Sequence, residues 1–255
     1  MRKINKKMAE TIELFKVHKE KYGIDLYELY NRNCYLHNND MYTHTDNDGD
    51  YHVSYANKTI YIHFEQTDSL VDWWSNFYFP PHAYKDQDEP WRGHAGFLNV
   101  YKSMNDAIIK TVKNLLNLHK DCEKIVVCGY SHGAALSGFC TEDMQYLFGD
   151  RVMVLGYGFG CPRFTWGILP KKVKERFSHF YPLRNFGDIV THVPPAILGY
   201  GWGKKIIQIG LLDNNEKKPN MIDSHRDWSI SNSLSIMREH IDPTLVYPTY
   251  TINKI

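Results

Sequence analysis

No stretch of the 255-residue chain approaches the ~18 consecutive apolar residues that cross a bilayer, so no transmembrane segment is expected. The N-terminus is basic, Met1-Arg2-Lys3-Ile4-Asn5-Lys6-Lys7-Met8, but Ala9 to Lys16 supplies no apolar core behind it. No signal peptide is read, so the expected location is the cytoplasm, with export by another route left open. The five cysteines (Cys34, Cys122, Cys128, Cys140 and Cys161) are odd in number and contain no C-x-x-C pair, which favours free thiols over a disulfide framework. A phosphate-binding glycine loop, a zinc-type His/Cys cluster and a dinucleotide fingerprint are all missing, so the expected chemistry needs no cofactor. Charge of one sign is also missing. Thirty Lys and Arg face 29 Asp and Glu, a net of +1, so no global field draws in nucleic acid.

What is present is an ordinary globular composition. Hydrophobic residues at 43% and charged residues at 23% exclude disorder and fibrous repeats. We find no internal repeat and no interdomain linker, so residues 1–255 read as one α/β domain, with 1–50 a helical and hairpin lead-in. Aromatic content is 14%, which suits either an apolar ligand or an aromatic-rich core.

Loose helical spacing at Ile12, Phe15, Tyr22, Ile24, Leu26 and Leu29, broken by Gly23, predicts one or two leading helices. The run Asp46-Asn47-Asp48-Gly49-Asp50 invites comparison with a calcium loop. With Gly49 in sixth place, however, His44 would stand first and Tyr55 twelfth, where carboxylates are required, so a hairpin turn is expected. Tyr51–Tyr55 and Thr59–Phe64 are β-rich runs joined at Asn57-Lys58. Apolar residues from Val100 to Leu118 keep a three-and-four rhythm, predicting an amphipathic helix. Lys124–Gly129, Val152–Gly160, His179–Arg184 and Lys204–Ile209 then read as strands, with helices from Pro170 to Phe177 and Trp228 to His240. That alternation predicts a mainly parallel central sheet flanked by helices.

One strand-to-helix junction carries chemistry. Gly129-Tyr130-Ser131-His132-Gly133 is a G-x-S-x-G turn, preceded by an apolar strand and followed by small helix-opening residues, the setting that presents a nucleophilic serine. A serine hydroxyl needs a histidine to take its proton and a carboxylate to orient that histidine. Asp188 follows a predicted strand at its carboxyl end, where ligands gather in open α/β sheets, although the residue would also suit a turn cap. His192 is too close to Asp188, which leaves His225 in a loop and His240 at a helix end as candidate bases.

Several ordered blocks resemble the class 3, or fungal-type, triacylglycerol lipases of the α/β-hydrolase fold, over roughly Thr59 to Trp228. They are Gly93-His94-Ala95-Gly96-Phe97-Leu98, the Ser131 turn, Gly160-Cys161-Pro162-Arg163, Asn185-x-x-Asp188-Ile189-Val190-x-x-Val193-Pro194-Pro195 and His225-Arg226-Asp227-Trp228. The resemblance implies a Ser131-Asp188-His225 triad, with His225 rather than His240 as base. It also implies oxyanion donors at Thr67 and at the backbone N–H of His132. The matching stretch Phe64-Glu65-Gln66-Thr67 departs from the family's Phe-Arg-Gly-Ser/Thr at two positions. Downstream, Leu70, Trp73, Trp74 and Phe77 fall where the family has a mobile lid or acyl-site wall; a buried helix is the alternative. Expected partners are lipid or other ester substrates and a transient lipid interface, with no nucleic acid. Three functions are consistent with these residues: a lipase-type carboxylic-ester hydrolase, a phospholipase A1-type or short-chain esterase, and a catalytically silent lipase-fold binding protein.

Overall fold

The computed structural model describes residues 6–45, 49–65, 80–84, 89–210 and 220–241. Thr67, Leu70, Trp73, Trp74 and Phe77 lie outside these residues, as do residues 46–48 of the Asp-rich run. An antiparallel bridge between Thr43 and Tyr51 flanks that run.

The chain opens with two helices, α1 (Lys6–Tyr22) and α2 (Leu26–Asn38). Gly23 at φ +68° ends the first, and Asp25 caps the second by accepting hydrogen bonds from the Tyr27 and Glu28 amides. The second helix runs past Leu29, the last residue of the spacing that predicts it. It continues because Leu29, Tyr30, Asn33 and Leu36 keep one face buried.

A hairpin follows, β1 (Tyr51–Ala56) and β2 (Thr59–Phe64), turning at Asn57 and Lys58 with both φ values positive, near 50° and 57°. Strand β2 then pairs in parallel with β5 (Lys124–Tyr130), β5 with β6 (Met153–Phe159), β6 with β8 (Phe180–Asn185), and β8 with β10 (Ile207–Ile209). The central sheet therefore has the order β1-β2-β5-β6-β8-β10, with only β1 antiparallel. Helix α3 (Ala95–Leu118) precedes β5, α4 (His132–Phe148) joins β5 to β6, α5 (Lys171–Phe177) precedes β8, and α6 (Asp227–Ile241) closes the described chain. No described helix is long and apolar enough to cross a membrane.

Both faces of this sheet are covered, so its strands are apolar on both sides. In β5, Ile125 and Val127 enter the cluster with Met104, Ile108 and Val112 of α3, while Val126 and Cys128 enter the opposite one with Leu29 and Tyr30 of α2 and Ile230 and Leu234 of α6. Alternation of side chains along an extended strand produces that division.

A second, four-stranded antiparallel sheet has the order β3-β4-β7-β9, with β3 Pro81–Tyr84, β4 Trp91–His94, β7 Thr165–Trp166 and β9 Tyr200–Gly201. Sequence patterning does not predict it, because strands of two to four residues are too short to establish a period. Beside it, Trp91 stacks on Phe139 at 5.4 Å, and Phe164 meets Phe177 and Phe180 edge-on, so many aromatics here are core. All five cysteines are free.

Candidate active site

Ser131 stands between the end of β5 and the start of α4 at φ 55°, ψ −117°, a backbone conformation rare for any residue bearing a Cβ. Packing enforces it. A Cβ on Gly129 would lie 2.2 Å from the Gly133 carbonyl oxygen, and one on Gly133 would lie 2.4 Å from the Glu65 carbonyl oxygen. The turn can close this tightly only with glycine at both places. The Ser131 amide donates to the Phe159 carbonyl at 2.9 Å, and the Ala134 amide to the Ser131 carbonyl at 3.0 Å, pinning the serine from both sides.

Three side chains distant in sequence converge there. His225 Nε2 is 2.8 Å from Ser131 Oγ, and His225 Nδ1 is 2.9 Å from the Asp188 carboxylate. All three are buried, at 3% exposure or less. Asp188 lies beyond the carboxyl end of β8, and His225 ends a short 3₁₀ turn, Asp223–His225, just before α6. Asp188 Oδ1 also accepts the Val190 amide at 3.0 Å, which fixes the carboxylate plane. With Nδ1–H directed to Asp188, the neutral ring leaves Nε2 free to accept the serine proton.

Residues given no role by sequence reasoning hold this chain of groups in place. Asn185 Nδ2 donates to the Ser224 carbonyl at 3.0 Å and to Ser229 Oγ at 2.8 Å, while its Oδ1 accepts from the Phe186 amide and from Ser233 Oγ. It thereby clamps the strand leading to Asp188 against the turn carrying His225. The Tyr130 hydroxyl donates to the His225 carbonyl, and its ring stacks on the imidazole at 5.2 Å. Asn185 and Gly160 both fall in blocks singled out in the sequence; the Tyr130 contact carries no sequence signal, since the first x of G-x-S-x-G is unrestricted.

His132 opens α4, so its N–H belongs to the first turn, where no intrahelical acceptor exists. Its imidazole is buried 5.4 Å from the Phe97 ring, and burial, reinforced by nearby His94, lowers its pKa to about 4. His240, the other candidate base, hydrogen-bonds the Ile236 carbonyl one turn back in α6. His192 stands in the 3₁₀ turn after Asp188, and its carbonyl accepts from Arg163.

The profile of the family "Lipase (class 3)" matches residues 61–198, more than half of the chain. A lipase of Rhizomucor miehei is 28% identical over 149 residues, 57% of this chain and 40% of that protein. A secreted mono- and diacylglycerol lipase of Malassezia globosa is 32% identical over 106 residues, 41% of this chain and 34% of that protein. The matches thus span less than half the length of these two curated relatives. The crystal structure of a lipase from Rhizopus microsporus var. chinensis superposes with a TM-score of 0.51 at 28% identity, covering 60% of this chain and 53% of that one.

Proposed function

Because the chain belongs to the class 3 lipase family, we propose that it is a serine carboxylic-ester hydrolase that cleaves acyl esters, glycerolipids among them. The observation that carries this reading is the unbroken hydrogen-bonded line from Ser131 Oγ through His225 to Asp188. Ser131 attacks the ester carbonyl while His225 Nε2 takes its proton, and Asp188 holds the ring and steadies the imidazolium. His225 returns the proton to the leaving alkoxide as the acyl-enzyme forms. It then draws a proton from water as that water attacks the acyl carbon, and passes this proton to Ser131 Oγ as the acid leaves. We assign the oxyanion-donor role to the His132 amide, a reading supported by its position at the N-terminus of α4, and, from the family resemblance alone, to Thr67.

Exposed Met221 and Ile222 lie just before His225 and support an apolar substrate and a transient lipid interface. One hydrolase unit is proposed for the chain, since Phe15 of α1 and Leu29 of α2 share a core with β5 and α6. A series of p-nitrophenyl esters of rising acyl length, run beside a glycerolipid emulsion, tests the reading. Hydrolysis favouring long acyl chains and the emulsion supports it; confinement to acetate and butyrate reassigns the chain to the short-chain esterases, and absence of turnover overturns it.

A further inference from the structure

The stretch that departs most from its family, Phe64-Glu65-Gln66-Thr67, puts a carboxylate where the family carries arginine. That carboxylate does not stand alone. His44, Asp50 and Glu65 each offer one ligand atom, and these atoms lie within 4.8 Å of one another. His44 is exposed and the two acids are half-buried, so an ion has a path in.

The outer contacts have the form that metal ligands require. His44 turns Nδ1 toward Asp50 Oδ2 at 2.8 Å, while its Nε2 is held by Asp40 Oδ1 at 2.9 Å. A carboxylate on the far nitrogen fixes ring orientation and raises the basicity of the near one, the usual support of a metal-bound histidine. The acids are held in the same way. Asp50 Oδ1 accepts the Thr45 amide at 2.9 Å, and Glu65 Oε1 is 2.6 Å from His37 Nδ1. Each group therefore has one atom tied by an outer partner, while the inner atoms hydrogen-bond one another, His44 to Asp50 and Asp50 to Glu65, contacts that a bound ion would replace. The backbone adds a further tie, with the Glu65 amide donating to the Asp50 carbonyl at 3.0 Å.

We propose that His44, Asp50 and Glu65 form a binding site for a divalent transition ion of the zinc class, oriented by Asp40, Thr45 and His37. One imidazole with two carboxylates suits zinc, whereas calcium prefers six to eight oxygens. The ligands come from three places in the chain, 44, 50 and 65, which is why no local spacing motif announces the site. The site also adjoins the nucleophile turn, because the Glu65 carbonyl packs on Gly133.

Calorimetric titration of the metal-free, tag-free protein with Zn²⁺, and separately with Ca²⁺, tests this without reference to ester hydrolysis. We expect one Zn²⁺ to saturate each chain. Affinity should fall about tenfold in Asp40→Asn, where only an outer contact is lost, and further in His44→Ala and Glu65→Gln. Exposed His82 is the control, and His82→Ala should bind as the parent does. Circular dichroism and metal-free melting separate lost ligation from lost folding, and Glu65→Gln, which keeps side-chain shape, stands in if His44→Ala does not fold. Absence of saturable Zn²⁺ binding, binding indifferent to all three site variants, or tighter binding of Ca²⁺ than of Zn²⁺ would overturn the proposal.

Discussion

Gly160 and His225 are in contact so close that no side chain fits between them: a Cβ on Gly160 would lie 2.8 Å from His225 Cε1 and 3.0 Å from Nδ1. Gly160 also holds φ +57°, a conformation that costs any L-residue with a side chain. Gly160→Ala therefore combines backbone strain of about 1–3 kcal/mol with a displaced imidazole. Ester turnover should fall by about 10²-fold, since misplacing a reacting group by 1 Å can cost that much. Steady-state kinetics beside a urea melt would check both effects, and unchanged turnover would mean that the His225 position is not critical.

Asn185 acts at one remove from the reacting atoms. Asn185→Ala removes one hydrogen bond to the His225 turn, two to α6 and one to the Phe186 amide, and leaves the buried Ser224 carbonyl without this donor. Stability should drop by about 1–3 kcal/mol. Turnover should fall more than KM rises, because the loss loosens the register of acid and base rather than substrate binding. Kinetics and denaturation of the purified variant would read the two separately.

The two histidines left open by spacing alone now differ sharply. His225→Ala should cut turnover by orders of magnitude, whereas His240→Ala, which loses one bond within α6, should leave it within about twofold of the parent. The reverse pattern in parallel assays would transfer the base role to His240.

Stability should depend on pH below neutrality. Burial, with Arg32 and His52 nearby, lowers His63 to about 3, and burial with His94 lowers His132 to about 4. Both rings are neutral when folded yet become protonated near pH 6.5 once unfolded. Above about pH 6.5 neither state carries the extra protons and stability is at its full value. As pH falls from there toward the folded values the unfolded state binds more protons, so stability is lost, at up to about 1.4 kcal/mol per pH unit for each ring. Urea titrations between pH 7.5 and 4.5 would measure the slope, and His63→Asn should make it shallower.

Much of this architecture is legible in the sequence because long elements carry clear periods. The run from Ile125 to Cys128 is apolar on both faces, and the rhythm from Val100 to Leu118 marks the helix beside it. Ser131 is legible because its geometry demands glycine on either side, leaving a trace in one dimension. Asp188 and His225 are harder. Their roles depend on tertiary convergence: strand position singled out Asp188, but only the ordered blocks favoured His225 over His240. The Asn185 clamp, the Tyr130 hydroxyl and the β3-β4-β7-β9 sheet leave weaker traces, since each consists of contacts between segments far apart in the chain.

The most direct test of the central claim is active-site labelling with a fluorophosphonate, which forms a covalent bond only with an activated serine. We predict rapid, stoichiometric labelling that maps to Ser131, disappears in Ser131→Ala and slows by orders of magnitude in His225→Ala. Folded protein that resists the probe, or that still labels in Ser131→Ala, would contradict the assignment.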